Sequence, residues 1–441
     1  MDTTLTFQSF FSIAVLLGVY GLLITEKVNK VIVAITGAML LTLAQVFRTS
    51  VASSQDVAFG YVGKNLDVLF FVIGMMILVG IVRGSGLFEA IAIWLAKKVK
   101  GHPVKLLVAI GYLTLFMTVF LSNVPTVLIM LPVLLILIKE LKLPYLPYLL
   151  TVVTMANIGG AATPISDPTT YYQAKTVGLS FFEVVSNSGL MVLVLSAISL
   201  GYIYLVFRKS LNKTKVDPKE VAGFSPAAAI KDRKLLKYGT PILGIAILCM
   251  VLKDTIAHKF GVQIDSASVV MFAAFLAMFF FHRSPKEVFH DLVDWEIIFF
   301  FMGLFIVVGS LDQTHVVTAL AHGLVVLSHG SNVILLFLIT IGSGLLSVFI
   351  DNVPYNITMV GAIQDMAKQH IYVYPLWWAL NLGTSLGGAG SPIGAACNVI
   401  ALGQAEKEGM HINFGKYLLI GVPLVIINGL ATFGMIYARY H

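Results

Sequence analysis

Charge is scarce in this sequence. Only 12% of its 441 residues are Asp, Glu, Lys or Arg, against 58% that are hydrophobic. A chain this poor in charge has too little polar surface to clothe a water-soluble fold of its size. Cysteine is scarcer still: Cys249 and Cys397 both lie in apolar surroundings, which argues against a disulfide framework and a Cys-based metal site. The histidines fall mostly in arms and loops without metal-ligand spacing, so no metal and no cofactor is expected. There is no GxxxxGK[ST] motif, so any pumping by this chain alone must draw on an ion gradient. No HExxH, GxGD or Ser-His set lies within an apolar run, which leaves an intramembrane enzyme without its machinery. Nor does Lys or Arg precede the first apolar run, which therefore reads as a permanent span rather than a cleavable signal.

What is present is long apolar sequence. Runs such as FFSIAVLLGVYGLLI, VLFFVIGMMILVGIV and YLLIGVPLVIINGLATFGMIY approach or reach the roughly 20 apolar residues that cross a bilayer. An all-α polytopic membrane protein is expected, with the lipid bilayer as its first partner. The formal net charge of +7 could suggest nucleic acid, but its placement argues otherwise. With the N-terminus outside, one side collects Lys27, Lys30, Arg83, Lys139, Arg283, the cluster from Arg208 to Lys237, and others. That side holds about 22 of the basic residues, the bias of a multi-pass cytoplasmic (inner) membrane protein. The basic balance is topology, and no nucleic-acid partner is expected. Trp94, Trp295, Trp377 and Trp378 fit an aromatic belt, and Asp67 and Asp294 read as interfacial caps.

The chain is also duplicated. Gly74 and Val79-Gly80 recur as Gly303 and Val308-Gly309, and Asn123-Val124 as Asn352-Val353, each 229 residues later. GGAATPI (159–165) recurs as GGAGSPI (387–393), 228 residues later. The first repeat is 1–207, with scaffold spans within 8–83, an arm at 85–100, a hairpin at 104–141, a broken span at 145–178 and a last span at 184–207. A polar cytoplasmic linker, 208–237, precedes the second repeat, 238–441, whose arm, hairpin and broken span fall at 313–327, 332–367 and 372–405. About ten transmembrane helices plus two re-entrant hairpins result. Five full spans per half give the repeats opposite orientation, and inverted repeats with helices broken at the midplane are the pattern of secondary transporters.

Both hairpins break at Asn-Val-Pro. Proline sits best in the first turn of a new helix, so one helix should end near Leu121 and the next start near Pro125. The second pair should end near Ile350 and restart at Pro354. Each tip brings a carbonyl-rich helix end beside an amide-rich start, able to hold a cation or a polar solute. Ser122, Asn123 and Thr126 belong to one tip, and Asp351 and Asn352 to the other. The broken spans carry the partners: Asn157, Gly159, Gly160, Thr163, Pro164, Ser166 and Asp167 in the first. The second supplies Thr384, Ser385, Gly387, Gly388, Ser391, Pro392, Cys397 and Asn398. Irregular backbone at that depth is tolerated only where it lines a cavity or is buried in protein. Asp351 and Asp167, carboxylates inside a membrane, are the candidate proton carriers.

These motifs resemble the ion transporter superfamily. SNVPTVLIMLPV (122–133) is similar to its first hairpin tip and GGAATPI to the break that follows. DNVP, TPISDPTT and SPIGAACNVIALGQAEKEG look most like the branch of ArsB-type arsenite permeases, NhaD-type sodium/proton antiporters and the P protein. The resemblance implies a homodimer with a static scaffold and a mobile, elevator-type transport domain, joined by the two arms. It also makes a separate ATPase subunit a candidate partner. It implies a small inorganic solute or ion as cargo: proton-coupled efflux of arsenite or antimonite first, sodium/proton antiport second, sodium-coupled anion symport third. The coupling ion is then H⁺ or Na⁺. For arsenite, Asn123, Asn352, Ser391 and Thr163 are the expected hydrogen-bonding groups. Val-Pro after both asparagines, and Asp351 in place of a second Ser, depart from the dicarboxylate symporters.

Overall fold

The computed structural model describes residues 6–25, 28–214, 216, 221, 223–261 and 264–440. Lys27, Lys215 and Lys219 of the basic side lie outside these residues. Among the described residues the chain is helical with no strand, and seven helices are long and apolar enough to cross a membrane. Its helices form two sets in the same order. The scaffold part of the first set is α1 (Phe7–Thr25), α2 (Lys30–Leu43), α3 (Ser54–Gly63) and α4 (Leu66–Arg83). The arm α5 (Leu87–Lys98) leads to a hairpin, α6 (Pro103–Leu121) and α7 (Asn123–Glu140). A broken span follows, α8 (Tyr145–Gly159) and α9 (Pro168–Val177), and the long α10 (Phe181–Lys213) closes the set.

The second set repeats this plan: α11 (Leu235–Phe260), α12 (Ser266–Phe280), α13 (Pro285–Asp291) and α14 (Trp295–Gln313). The arm α15 (Val316–Leu327) and the hairpin α16 (Asn332–Ser347) and α17 (Asn352–Lys368) come next. Then follow α18 (Tyr374–Gly388), α19 (Ala396–Lys407) and α20 (Phe414–Tyr440). The polar residues that punctuate the apolar sequence start these helices. Asn29, Ser53, Asp265, Asp294 and Ser331 each accept a hydrogen bond from a first-turn amide, satisfying a donor the helix cannot.

The repeats interlock rather than sit side by side. Helix α2 packs on α14, and α12 packs on α4, so each repeat's third span lies against the other's second. The duplicated glycines make these two contacts. A Cβ on Gly303 would lie 2.7 Å from the carbonyl carbon of Ala34, and one on Gly74 would lie 2.9 Å from Val270 Cγ1. Small residues let helix backbones approach in this way. The broken spans exchange partners too: α9 packs on α17 and α19 on α7.

Several expectations change. The hairpin helices restart at Asn123 and Asn352, two residues before the prolines: the Asn123 side chain accepts from the amide of Val124 next to it, and Asp351 caps α17 by accepting from Val353 N. Trp377 and Trp378 are buried in α18 and belong to the core, whereas Trp94 and Trp295 are exposed. Asp67 caps nothing and instead pairs with Lys175 at 2.5 Å, while Asp294 does cap α14. The short helices α3 and α13 stood as connections in the sequence. The linker also has a structural contact of its own. The amides of Lys231 and Asp232 donate to Ser85 O, and a Cβ on Gly86 (φ 79°) would fall 1.8 Å from Ala229 O. This ties the linker to the joint between α4 and α5.

Candidate functional site: a cavity between two hairpin tips

At the first tip the chain turns through Ser122 at φ 71°, ψ 160°. Only glycine adopts that region readily, and holding another residue there costs on the order of 1–3 kcal/mol. The turn lets the Asn123 carbonyl oxygen accept from Val124 N at 2.8 Å while its amide donates to Asp167 Oδ2. The other oxygen of Asp167 accepts from Thr169 N at 2.8 Å and Thr169 Oγ1 at 2.6 Å, capping α9. Asp167 is 2% exposed and has both oxygens engaged. It ties the first hairpin to the first broken span.

The second tip is built differently. Asp351 lies at φ −48°, ψ 136°, an ordinary extended conformation, and its Oδ1 accepts from Val353 N at 3.0 Å. Its other oxygen has no partner among the described residues. Asn352, beside it, is buried, and its side chain makes no hydrogen bond to them either.

Both tips face one cavity of about 50 Å³. Ser122, Asn123, Asp167, Asp351, Asn352 and Lys30 supply its polar wall, and aromatic and aliphatic side chains of α4 and α14 close it. The first residues of α7, α9, α17 and α19 all border it. Four helix N-termini thus converge, each carrying roughly half a positive charge, and one first-turn amide in each of α7, α9 and α17 is already bonded to Asn123, Asp167 or Asp351. Two are capped by carboxylates; α19, with Ala395 at its cap position, has no side-chain cap.

Four carbonyls at the breaks are taken by the protein's own donors. Thr163 Oγ1 donates to Val119 O at 2.8 Å, and Ser391 donates to Val348 O, the repeat-equivalent carbonyl. Ser166 and Thr170 both donate to Gly160 O at 2.7 Å, and Asn398 donates to Gly388 O at 2.6 Å. This corrects the expectation that Thr163, Ser166 and Ser391 face a solute: their hydroxyls pin the broken loops, around Pro164 and Pro392, to neighbouring backbone.

The remaining predicted residues form a buried polar seam between the broken spans. Asn157 donates to Asn398 Oδ1 at 2.8 Å and approaches Cys397 Sγ at 3.5 Å. Thr384 donates along its own helix to Leu380 O at 2.8 Å and accepts nothing from the cavity. Thr126 and Ser385 are buried with hydroxyls that find no partner among the described residues. None of these six borders the cavity. Gly387 and Gly388 allow close packing: a Cβ on Gly387 would lie 2.3 Å from Gly344 O, and one on Gly388 would lie 2.7 Å from Asn157 Oδ1. Gly159 similarly admits Thr118, and Gly160 admits the Asp167 side chain. Pro125 and Pro354 occupy the first turns of α7 and α17, as expected.

Sequence reasoning missed Lys30, Thr169, Thr170 and Asn381. Asn381 donates to Ala161 O, joining the second broken span to the first, and its Oδ1 lies 2.8 Å from Thr170 Oγ1, whose one proton is shared between it and Gly160 O. An asparagine inside WWALNLG was the available signal. Lys30 carried none beyond its charge.

A wider vestibule of about 410 Å³ shares Lys30, Phe300, Asp351 and Ala396 with the cavity, and runs out past Asn29, Asp294 and Glu296. It opens on the face where the linker lies. On the far face α9 is shut against the scaffold. Tyr171 stacks on Phe71 at 4.1 Å and 2°, its hydroxyl reaches Asp265, and Lys175 pairs with Asp67.

Helices broken in pairs around a buried polar cavity, open to one face and shut to the other, define a membrane transporter. The chain belongs to the citrate transporter family, whose profile matches residues 20–383, within the ion transporter superfamily. An uncharacterized transporter of Mycobacterium tuberculosis is 33% identical over 428 residues, covering 96% of each chain. A 46 kDa membrane protein of Mycobacterium leprae is 32% identical over 432 residues, again covering 96% of each. The mouse P protein is 25% identical over 506 residues, spanning 97% of this chain and 59% of that one. Among solved structures, the YdaH transporter of Alcanivorax borkumensis aligns with a TM-score of 0.58 at 13% identity, over 93% of this chain and 98% of that one. That likeness is one of fold.

Proposed function

We propose that this protein is a proton-coupled secondary transporter for a small oxyacid or its anion, with Asp351 carrying the proton. The observation that carries this reading is the convergence of four helix N-termini on one cavity, beside which the carbonyls of Val119, Val348, Gly160 and Gly388 are already bonded. Such a cavity offers N–H donors and positive dipole ends, which suit oxygen-rich, electron-rich solutes. Between the two carboxylates, Asp351 is the one with an oxygen free toward the cavity and vestibule, so it exchanges a proton without breaking a helix cap bond to Asp167's network. Protonation removes a negative charge from the wall and leaves the α17 N-terminus and Lys30 uncompensated, so the solute binds the protonated form better. Arsenite, neutral near pH 7, and carboxylates such as the citrate of the family's name both present the right oxygens.

In this reading the N-terminus is outside, the linker is cytoplasmic, the vestibule opens inward, and the protein works in the cytoplasmic membrane. The hairpins and broken spans move as an elevator against α1–α4 and α11–α14, the arms α5 and α15 flex, and two copies pair through their scaffolds. Sodium/proton exchange is the second reading, favoured by Asp294 and Glu296 in the vestibule.

The test uses acidified everted vesicles from an antiporter-deficient, arsenite-sensitive host, with interior pH followed by fluorescence. Arsenite or citrate should change the interior pH, and Asp351→Asn should abolish that change while Asp167→Asn reduces expression. A response to Na⁺ or Li⁺ alone would replace this reading with cation exchange. A full response from Asp351→Asn would remove Asp351 from the mechanism.

A further inference from the structure

Lys30 is the first residue of α2, on the scaffold, yet it borders both the central cavity and the vestibule. It is half-buried and forms no ion pair among the described residues; its Nζ lies 5.7 Å from the centre of the Phe300 ring. A lysine held in a membrane protein beside a carboxylate without pairing to it is costly unless the separation is used. The charged groups around it are Asp351 at the start of α17, Asp167 at the start of α9, and Asp294 and Glu296 at the start of α14. Asp167 is fully engaged, Asp294 caps its own helix, and Glu296 accepts from Asn29 at 3.3 Å. Asp294 and Glu296 each keep one oxygen without a partner among the described residues, but they are exposed and border the vestibule and not the central cavity. Asp351 is half-buried and is the carboxylate with an unpartnered oxygen that borders both the vestibule and the central cavity, as Lys30 does. Tyr20, Tyr355 and Cys397, the other titratable groups near Asp351, are buried, and the Tyr355 hydroxyl lies 3.3 Å from that of Ser343.

We infer that Lys30 is the anion-selecting residue of the transport site, a role that rests on the proton-carrying reading of Asp351. In the empty carrier the ionised Asp351 holds the Lys30 charge across the cavity mouth. When Asp351 takes up a proton, Lys30 is released to an anionic group of the solute entering past the uncapped start of α19. Solute charge and proton are then bound together, because each relieves what the other leaves uncompensated. The arrangement also separates scaffold from hairpin: the cation sits on α2 and the carboxylate on α17, so the two share one cavity mouth, without direct contact, only in the conformation open toward the linker face. In the second repeat the position equivalent to Lys30 is Ser266, buried at the start of α12, so the opposite face has no counterpart cation.

The test compares wild type, Lys30→Gln and Lys30→Arg in the same vesicles, using citrate and arsenite at pH 7 as probes. Lys30→Gln should weaken the apparent affinity for citrate by about tenfold or more, the scale of a lost charge-assisted contact, and flatten its pH dependence. Lys30→Arg should retain most of both, and the response to neutral arsenite should change by less than about twofold in either variant, since it carries no charge for Lys30 to hold. Equal losses for citrate and arsenite in Lys30→Gln would reduce Lys30 to a packing residue and overturn the inference. Unaltered citrate affinity and pH profile in Lys30→Gln would do the same while Asp351→Asn still stops transport. A wild type that moves arsenite and no anion overturns the role of Lys30 and leaves Asp351 standing. A wild type that moves only Na⁺ overturns both.

Discussion

The two faces of the molecule are made from equivalent pieces of the two repeats, yet one is shut and the other open. On the far face, α9 of the first broken span closes on α4 through the Tyr171–Phe71 stack and the Lys175–Asp67 pair. On the linker face the equivalent positions are Val399 and Gly403 on α19, and Phe300 and Glu296 on α14. Phe300, Glu296 and Val399 line the vestibule instead of touching across it. An internal duplication in which one copy of a contact is made and the other broken is what alternating access requires of its two states. The difference also shows that the repeats have diverged where they gate. An aromatic and a cation meet an aromatic and an anion on one side, while valine and glycine face their partners on the other. On the proposed alternating-access reading, closing the linker face lacks the stack and the ion pair, which favours the conformation open to that face.

The largest effect should come from the scaffold pairs that frame the two openings. Gly303→Ala places a methyl 2.7–2.9 Å from backbone atoms of Ala34 and Ile35, none of which can rotate away, whereas Gly74→Ala meets the Val270 side chain at 2.9 Å and backbone only at Met271 N, at 3.0 Å. Overpacking of this kind costs about 1–3 kcal/mol. Gly303→Ala should lower the thermal midpoint of the detergent-purified protein distinctly, and Gly74→Ala should lower it less. Equal shifts would mean that the two interlocking contacts are equally forgiving.

Next comes the stack. An aromatic pair contributes about 0.5–1.5 kcal/mol beyond its buried area, so Tyr171→Ala should shift the balance toward far-face opening by about two- to twelvefold. Hydrogen–deuterium exchange of the amides in α9, measured in lipid nanodiscs, reads this directly. The reciprocal variant Val399→Tyr with Gly403→Lys should protect α19 and slow exchange there. If it leaves α19 unchanged, the equivalence of the two faces is a matter of sequence descent and not of motion.

Much of this was legible in the sequence. Duplicated Asn-Val-Pro and GGxxxPI motifs located the hairpins, the breaks and the tips, because proline and glycine are expensive inside apolar helices and must be there for a reason. Asp167 and Asp351 stood out as carboxylates in apolar runs. What the sequence left hidden depends on direction. In helices apolar on every face, periodicity does not tell a lipid-facing side from a packed one, so Trp377 and Trp378 looked like belt residues. Hydroxyls near a break look like ligands, and only the backbone path turns Thr163 and Ser391 toward Val119 and Val348. Lys30 read as one basic loop residue among many, since nothing local marks the start of α2 as the mouth of a cavity formed with α17 and α19.

The smallest effect should come from the ion pair. Asp67 and Lys175 are 23% and 36% exposed, and Lys175 also donates to Lys64 O at 3.1 Å, so water and a backbone carbonyl share its charge. Pairs this accessible contribute about 0.2–1 kcal/mol and weaken with salt. Lys175→Ala should therefore loosen α9 by no more than about fivefold, and by less at high salt, against the salt-independent change from Tyr171→Ala. The two substitutions touch the same pair of helices, so their effects need not add. A double variant that exchanges no faster than Tyr171→Ala alone would make the stack the element that holds the far face shut, with the ion pair only fixing its register. A multiplicative increase would make them two separate fastenings, and replacing Gly403 alone with Lys would then begin to close the linker face without any aromatic partner.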